Sequence, residues 1–330
     1  MDSIGIVGAG AWGTALAATV RRAGRDVVLW AHEPEVADAV NLAHENPYYL
    51  PGILLDDRVR ATTDARLAAA ADAVLLVTPA QHLRAVCRRL APSLRPGVPA
   101  VICAKGIETA SGALMSEVVA EELPQAVVAV LSGPTFGTEV ARGLPTAVTL
   151  ACADAALGRR LVTAIGTATF RPYLSDDLVG AQVGGAVKNV LAIACGIVEG
   201  RGLGDNARAA LVTRGLAEMM RFAVAKGGRG ETLMGLSGLG DLMLTASSTQ
   251  SRNYSLGLAL GEGRALGEVL GARKSVTEGV WSAGIVVEAA RRLSVEMPIC
   301  ATVDAVINHG VGLDDAIKAL LSRPFRTEGV

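Results

Sequence analysis

Aromatic side chains are scarce in this chain of 330 residues: four Phe, three Trp and four Tyr. Stacking platforms for single-stranded nucleic acid are built from such rings, so that class is disfavoured. Net charge is nearly absent too, at −1 from 31 basic and 32 acidic side chains. A binder of phosphate backbones carries a basic excess or stripe, so no nucleic-acid partner is expected. Cysteine is limited to Cys87, Cys103, Cys152, Cys195 and Cys300, odd in number and without CxxC spacing. These read as small buried thiols in a reducing compartment, not as a disulfide framework. No uninterrupted apolar run approaches the ~18–20 residues that span a bilayer. The N-terminal MDSIGIVGAG has an acid at position 2 and runs straight into a strand pattern. No signal peptide is read there, so a cytoplasmic protein without a membrane span is expected. Lysine is rare as well, five against 26 arginines. Each lysine in apolar surroundings therefore stands out.

What is abundant is apolar surface, 51% of residues, enough for a large core and too much for disorder. The length gives a prior of two domains at ~100–200 residues each. In the first half, Ser3–Val7, 73–78, 100–103, 127–131, 147–151 and Asp26–Trp30 are continuous hydrophobic runs. Such runs mark strands buried on both faces. Helical spacing fills the segments between them, at 14–23, 33–44, 81–90 and 113–122. Strand–helix alternation implies a doubly wound, mainly parallel sheet. From about position 176 only helical patterns remain, at 176–198, 206–226, 240–245, 253–261, 280–292 and 302–308. Pro172 closes the last strand pattern. The expectation is an α/β chain, with a doubly wound Rossmann domain over 1–175 and an all-α substrate domain over 176–330.

Gly8-Ala9-Gly10-Ala11-Trp12-Gly13 stands where a strand ends and a helix begins. A lone GxGxxG is weak, but this one has the context that the chemistry needs. Gly8 permits the tight turn, Gly10 lets a pyrophosphate approach, and Gly13 lets helix and strand pack closely. Free amides at the helix start then face the anion. After the second strand the chain reads Leu29-Trp30-Ala31-His32-Glu33. The acid that usually holds the ribose 2′-hydroxyl of NAD is replaced by Ala31, with His32 beside it. NADP(H) is admitted alongside NAD(H), and NADPH is favoured, with Glu33 left able to turn inward.

Lys188 lies in Val183-Gly184-Gly185-Ala186-Val187-Lys188-Asn189, apolar on nearly every side, with small residues one turn earlier that leave room for a ligand. An ammonium there must be paired or deprotonated, and such a lysine serves as acid or base. The bland alternative is a lysine snorkelling at a helix surface. Lys105 closes a strand at its carboxyl end, where open α/β sheets bind ligands. Asp241, in LSGLGD, is either functional or an N-cap. Thr249-Gln250-Ser251-Arg252-Asn253 joins hydroxyl, amide and guanidinium groups at a helix start, which suits a phosphate; a solvated loop is the alternative.

Taken together, these motifs resemble the NAD(P)-dependent glycerol-3-phosphate dehydrogenases, most closely the bacterial type. The resemblance runs from Ile4 to about Leu321. It rests on GAGAWGTALA, LWAHEPE, AKGIE, LSGPTFGTEVARGLPTA, GGAVKNVLAI, NARAALVTRGLAEM, GLSGLGDLMLT, QSRN and VTEGV, in order. It implies an oxidoreductase that passes hydride between a nicotinamide and C2 of sn-glycerol 3-phosphate. Reduction of dihydroxyacetone phosphate would feed phospholipid synthesis, with the active site between the two domains, and a homodimer is compatible with it. By motif, Lys188 is the proton donor and acceptor, while Lys105 and Asp241 orient substrate and lysine. Asn189, Thr245, Gly133 and Thr135 match substrate contacts, and Ser251, Arg252 and Asn253 match the phosphate pocket. Ala11, Trp12, His32, Lys105, Gly137, Arg252, Val276 and Glu278 join Gly8, Gly10 and Gly13 as cofactor contacts. No metal is implied. Gly137 departs from a frequent Ala, and Tyr254 from a frequent basic residue.

Two other readings stand beside this one. A β-hydroxy-acid dehydrogenase with the same two-domain plan would want a carboxylate clamp in place of the QSRN island. A dinucleotide-sensing protein without chemistry could dispense with Lys188 and Asp241.

Overall fold

Strands buried on both faces need side chains that are apolar throughout, and the first half supplies them at regular intervals. The computed structural model describes residues 1–271, 277–325 and 327. In it these runs become β1 (Ser3–Val7), β2 (Asp26–Trp30), β4 (Ala73–Leu76), β5 (Pro99–Ile102), β6 (Val127–Ser132) and β7 (Thr146–Cys152). Two further strands, β3 (Val59–Thr62) and β8 (Phe170–Ser175), complete one sheet in the order β8-β7-β6-β5-β4-β1-β2-β3. Ile4 of β1 pairs with both Val27 and Ala73, so β1 lies between β2 and β4 in parallel register. Parallel pairing continues outward to β3 and to β6. β7 runs antiparallel to β6, and β8 parallel to β7. The direction of winding reverses between β1 and β4, which is the Rossmann plan. Ligands bind outside the carboxyl ends of the strands at that point.

The two strands that continuous apolar runs do not reveal are the sheet's edges. β3 alternates, with Val59 and Ala61 buried and Arg60 exposed. β8 contains Pro172, which does not end a strand but pairs with Val148 inside this edge strand. Proline is tolerated there because an edge has backbone donors to spare.

The chain divides into two compact units. The first comprises Met1–Lys105 and Ala113–Leu178, the second Gly106–Gly112 and Val179–Val330. The division thus falls three residues beyond the one expected at 175, and 106–112 is an excursion that element patterns do not disclose. Ile4, Ile6, Leu16, Leu29, Leu75 and Val101, all fully buried, belong to the core of the first unit.

Among the described residues of the second unit there is no strand. Its longest helix, Leu178–Gly200, is buried at every position from Gly180 to Val198. By length and composition it could cross a membrane, but its apolar surface is wholly covered by protein. It is a core helix. Asp205–Ala225, Arg252–Gly261, Glu278–Arg292, Pro298–His309 and Leu313–Leu321 make up most of the rest.

Pro298–His309 starts without a side-chain cap of its own. Glu218, 1% exposed on Asp205–Ala225, accepts from Ile299 N at 2.6 Å and Cys300 N at 3.2 Å instead. A carboxylate at that end also meets the positive pole of the helix. Burial pushes the Glu218 carboxyl above its ordinary value, against the pull of the two amides. Stability from this group is therefore present at low pH and lost as pH rises through the raised value. Glu218→Ala strands two buried donors and should cost roughly 2–4 kcal/mol. Glu218→Gln should cost less and flatten the pH dependence. Urea denaturation of both variants at several pH values checks this.

Candidate active site

Backbone groups come first. Gly8 has φ +120°, and a Cβ there would lie 3.0 Å from the Val77 carbonyl. At Gly13 a Cβ would fall 1.8 Å from the Gly8 oxygen, so the helix Ala11–Arg22 leaves the turn at backbone contact. A Cβ at Gly10, by contrast, would meet nothing within 4 Å. Gly10 caps that helix with no side-chain hydrogen bond to its first amides. Trp12 is half-buried, its ring 6.5 Å from Phe170. Gly137 begins Gly137–Ala141, and a Cβ there would press on the Ala11 oxygen at 3.2 Å. That contact gives Gly137 a steric reason in this chain.

Beyond β2, Ala31 is 0% exposed and its amide donates to Thr62 O at 2.9 Å. A carboxylate at 31 would sit in the core. The first exposed side chain is His32, whose ring lies edge-on to Trp30. Glu33 does not turn inward: its Oε1 accepts from the Tyr49 hydroxyl at 3.1 Å, and burial followed by that bond raises the Tyr49 pKa. Lys105 lies just beyond β5 and donates from Nζ to Gly133 O at 2.9 Å, while Thr135 Oγ1 donates to the same carbonyl at 3.2 Å.

The second unit holds the charged cluster. Lys188 is 7% exposed, and its Nζ donates to Asp241 Oδ1 at 2.6 Å and Thr245 Oγ1 at 2.8 Å. It does not snorkel. Nor is the space at Gly184, one turn earlier, left for a ligand: a Cβ there would lie 2.1 Å from the Ser237 carbonyl. That close approach brings in a single π turn, Leu236–Gly240, closed by Gly240 N to Gly235 O at 3.1 Å. Asp241 follows it and is 0% exposed. Its carboxylate holds Lys188, and Gly240, not Asp241, stands at the N-cap of the helix Asp241–Thr245. Thr245 Oγ1 donates to Asp241 O at 2.6 Å, which leaves its lone pairs for the ammonium.

Asn189, beside Lys188, accepts from Asn253 Nδ2 at 3.0 Å and donates to Glu278 Oε2 at 3.5 Å. Asn253 Oδ1 accepts from Gly279 N at 2.9 Å, so one amide ties three helices together. Ser251 caps Arg252–Gly261 by accepting from Tyr254 N at 3.2 Å, a bond that leaves its hydroxyl proton to donate. Arg252 is exposed at the helix start. Val276 lies outside the described residues.

With that geometry, similarity to known proteins is specific. Residues 3–158 match the model of the NAD-dependent glycerol-3-phosphate dehydrogenase N-terminus, and 177–318 that of its C-terminus. The chain belongs to this family. Relatives named glycerol-3-phosphate dehydrogenase [NAD(P)+] include one from Rhodospirillum rubrum, 63% identical over 100% of this chain and 95% of its own length. Another, from Parvibaculum lavamentivorans, is 61% identical over 98% of each chain. The crystal structure of glycerol-3-phosphate dehydrogenase from Coxiella burnetii superposes with a TM-score of 0.93 at 40% identity, covering 98% of this chain and 99% of that one.

The first unit fits the dinucleotide that this family uses. Its turn is open at Gly10, its helix amides have no side-chain cap, and two hydroxyls lie beyond or at strand ends. Among the described residues, Thr78 Oγ1 and Ser132 Oγ are buried with no hydrogen-bond partner, which a polar ligand would supply. Sequence reasoning passed over both, since a lone Ser or Thr after an apolar run carries no pattern.

The Lys188–Asp241 pair makes a prediction that needs no substrate. Asp241→Ala leaves a buried ammonium without its carboxylate and should cost roughly 3–5 kcal/mol. Adding Lys188→Met should recover part of that loss. Chemical denaturation of the two variants measures it, and equal losses would refute the coupling.

Proposed function

We propose that this chain reversibly reduces dihydroxyacetone phosphate to sn-glycerol 3-phosphate, with Lys188 as the general acid and base. Family membership makes it an NAD(P)-dependent oxidoreductase acting on a CH–OH group. The observation that carries the lysine's role is its burial against Asp241 and Thr245. A carbonyl oxygen gains negative charge as C2 is reduced, and a protonated amine held in place both stabilises that charge and delivers the proton. In the oxidative direction the same nitrogen takes the hydroxyl proton. Asp241 and Thr245 fix the direction of the Lys188 nitrogen, so little reorganisation is needed at the moment of transfer.

When bound, the nicotinamide supplies or accepts the hydride at C2. Gly8, Gly10, Ala11, Trp12 and Gly13 would hold its diphosphate, with His32, Gly137 and Glu278 as further contacts. Lys105, Gly133 and Thr135 would orient substrate, as would Asn189. Arg252, Ser251 and Asn253 would take the substrate phosphate, whose binding energy fixes the reacting carbon. Exposure of Arg252 and the spare hydroxyl proton of Ser251 support this, while Asn253 would act through its bridge to Asn189. A cytoplasmic setting fits five buried free thiols, and the product fits a supply of glycerol phosphate for phospholipid synthesis.

The deciding experiment follows NADPH absorbance with dihydroxyacetone phosphate and with unphosphorylated dihydroxyacetone. The phosphorylated substrate should be reduced far better; equal kcat/KM would remove the phosphate pocket. Lys188→Ala should lower kcat by ~10²–10⁴-fold with cofactor affinity kept. More than half of wild-type kcat in that variant would take Lys188 out of the mechanism.

The cofactor's 2′-substituent is assigned to His32. NADPH should serve at least as well as NADH. His32→Asp should move the kcat/KM ratio towards NADH by roughly ten- to a hundredfold, by repelling the 2′-phosphate and accepting from the 2′-hydroxyl. An unchanged ratio would place the reading residue elsewhere.

A further inference from the structure

The glycine turn is not held by the motif alone. Asn46, 0% exposed, donates from Nδ2 to Ala9 O and to Thr14 Oγ1, each at 2.8 Å. Thr14 is also 0% exposed. Asn46 Oδ1 accepts from Tyr49 N at 3.2 Å, so the amide side chain is used on both sides. Ala9 is the residue between the first two motif glycines, and its carbonyl shares a planar peptide with Gly10 N–H. In a trans peptide these groups point in opposite directions. Fixing the carbonyl therefore fixes where the amide points.

Asn46 itself is firmly placed. Helix Pro34–Ala43 ends at His44, with φ 52°, and Leu55 N donates to His44 O at 2.7 Å, closing a hairpin of Glu45–Asn46 with Leu50–Leu54. Leu50, Ile53 and Leu55 anchor that hairpin in the first unit's core. Gly52 N donates to Glu45 Oε1 at 2.7 Å. The same hairpin carries Tyr49, which holds Glu33 beyond β2. One 10-residue hairpin, 45–54, thus reaches both the phosphate turn and the segment after β2.

We propose that Asn46 is a positioning residue for the cofactor's diphosphate: by gripping the Ala9 carbonyl and Thr14 hydroxyl from the hairpin, it aims the Gly10 amide at the anion. The inference rests on the dinucleotide reading of the turn. Asn46 touches no reacting atom. Its effect passes through the backbone, so it belongs to binding of the diphosphate, not of the adenosine end.

The test is direct binding to the full chain, without substrate, of NADPH and of 2′-AMP, which has the phosphorylated ribose but no diphosphate. Wild type should bind both. Asn46→Ala should weaken NADPH by roughly ten- to a hundredfold, the scale of a small misplacement at a binding group. Its affinity for 2′-AMP should stay within twofold (about 0.4 kcal/mol). Asn46→Asp keeps the acceptor for Tyr49 N while turning an oxygen on the Ala9 carbonyl, and should show the same split. Thr14→Val removes one of the two bonds and should give a smaller loss in the same direction, which keeps the test alive if Asn46→Ala does not fold. Equal weakening of both ligands, or unchanged NADPH affinity in all three variants, overturns the assignment. Failure of wild type to bind NADPH overturns the functional reading and this inference with it.

Discussion

A single buried ion pair governs the second unit. An ammonium inside a helix that is covered on every side faces a desolvation cost of several kcal/mol, and only a close, well-bonded anion offsets it. Lys188 finds Asp241 at 2.6 Å, and the local structure is arranged for that distance. A residue larger than glycine at 184 would push the Ser237 carbonyl away and take Asp241 with it. The π turn at Leu236–Gly240 inserts its extra residue just before the carboxylate, and such turns are frequent where a side chain must be aimed for function. Once the pair is made, Thr245 and Asp241 close a ring of bonds about Nζ. Glu218, also buried in that unit, meets the same cost with helix amides in place of a cation.

The first unit solves the opposite problem. The ligand proposed for it is a diphosphate, and the proposed receptors are backbone amides, whose direction depends on the path of the chain and not on side-chain identity. That makes the constraint steric. Gly8 and Gly13 are needed because backbone carbonyls occupy the places where their side chains would stand, while Gly10 needs its space left open. A turn built from residues without side chains has few means of holding itself. The holding groups must come from elsewhere, and Asn46 and Thr14 meet that requirement with buried polar side chains.

Much of this was legible in the sequence, and the gaps have physical causes. Continuous apolar runs disclosed the six strands with neighbours on both sides, because those strands have two faces to bury. The edge strands Val59–Thr62 and Phe170–Ser175 have one face and one spare row of donors, so arginine and proline are allowed there and the signal fades. Lys188 was visible as a cation out of place. Its partner was visible only through the resemblance, since 53 residues separate it from Asp241 and a carboxylate after Gly-Leu-Gly by itself reads equally well as a cap. The room inferred beside Gly184 was real in volume but is filled by a neighbouring backbone. Asn46 gave no signal at all, because a polar residue in a turn-rich stretch is what a solvated loop would show.

The end of β2 shows how burial reassigns a role that spacing suggests. The end of the second strand suggests Ala31 as the ribose-reading position, yet its backbone bond to Thr62 keeps Ala31 in the core. An acid at that position would bear the cost of burial before it met any ribose. The next residue, His32, is the first with its side chain in solvent, and the carboxylate after it is already held by Tyr49. A group that neither repels a phosphate nor offers a fixed acceptor to a hydroxyl discriminates weakly between the two. The proposed tolerance of both dinucleotides then follows from where the strand stops pairing: one more backbone bond removes the usual acid position from the surface, and a tyrosine on the hairpin occupies the first carboxylate that follows.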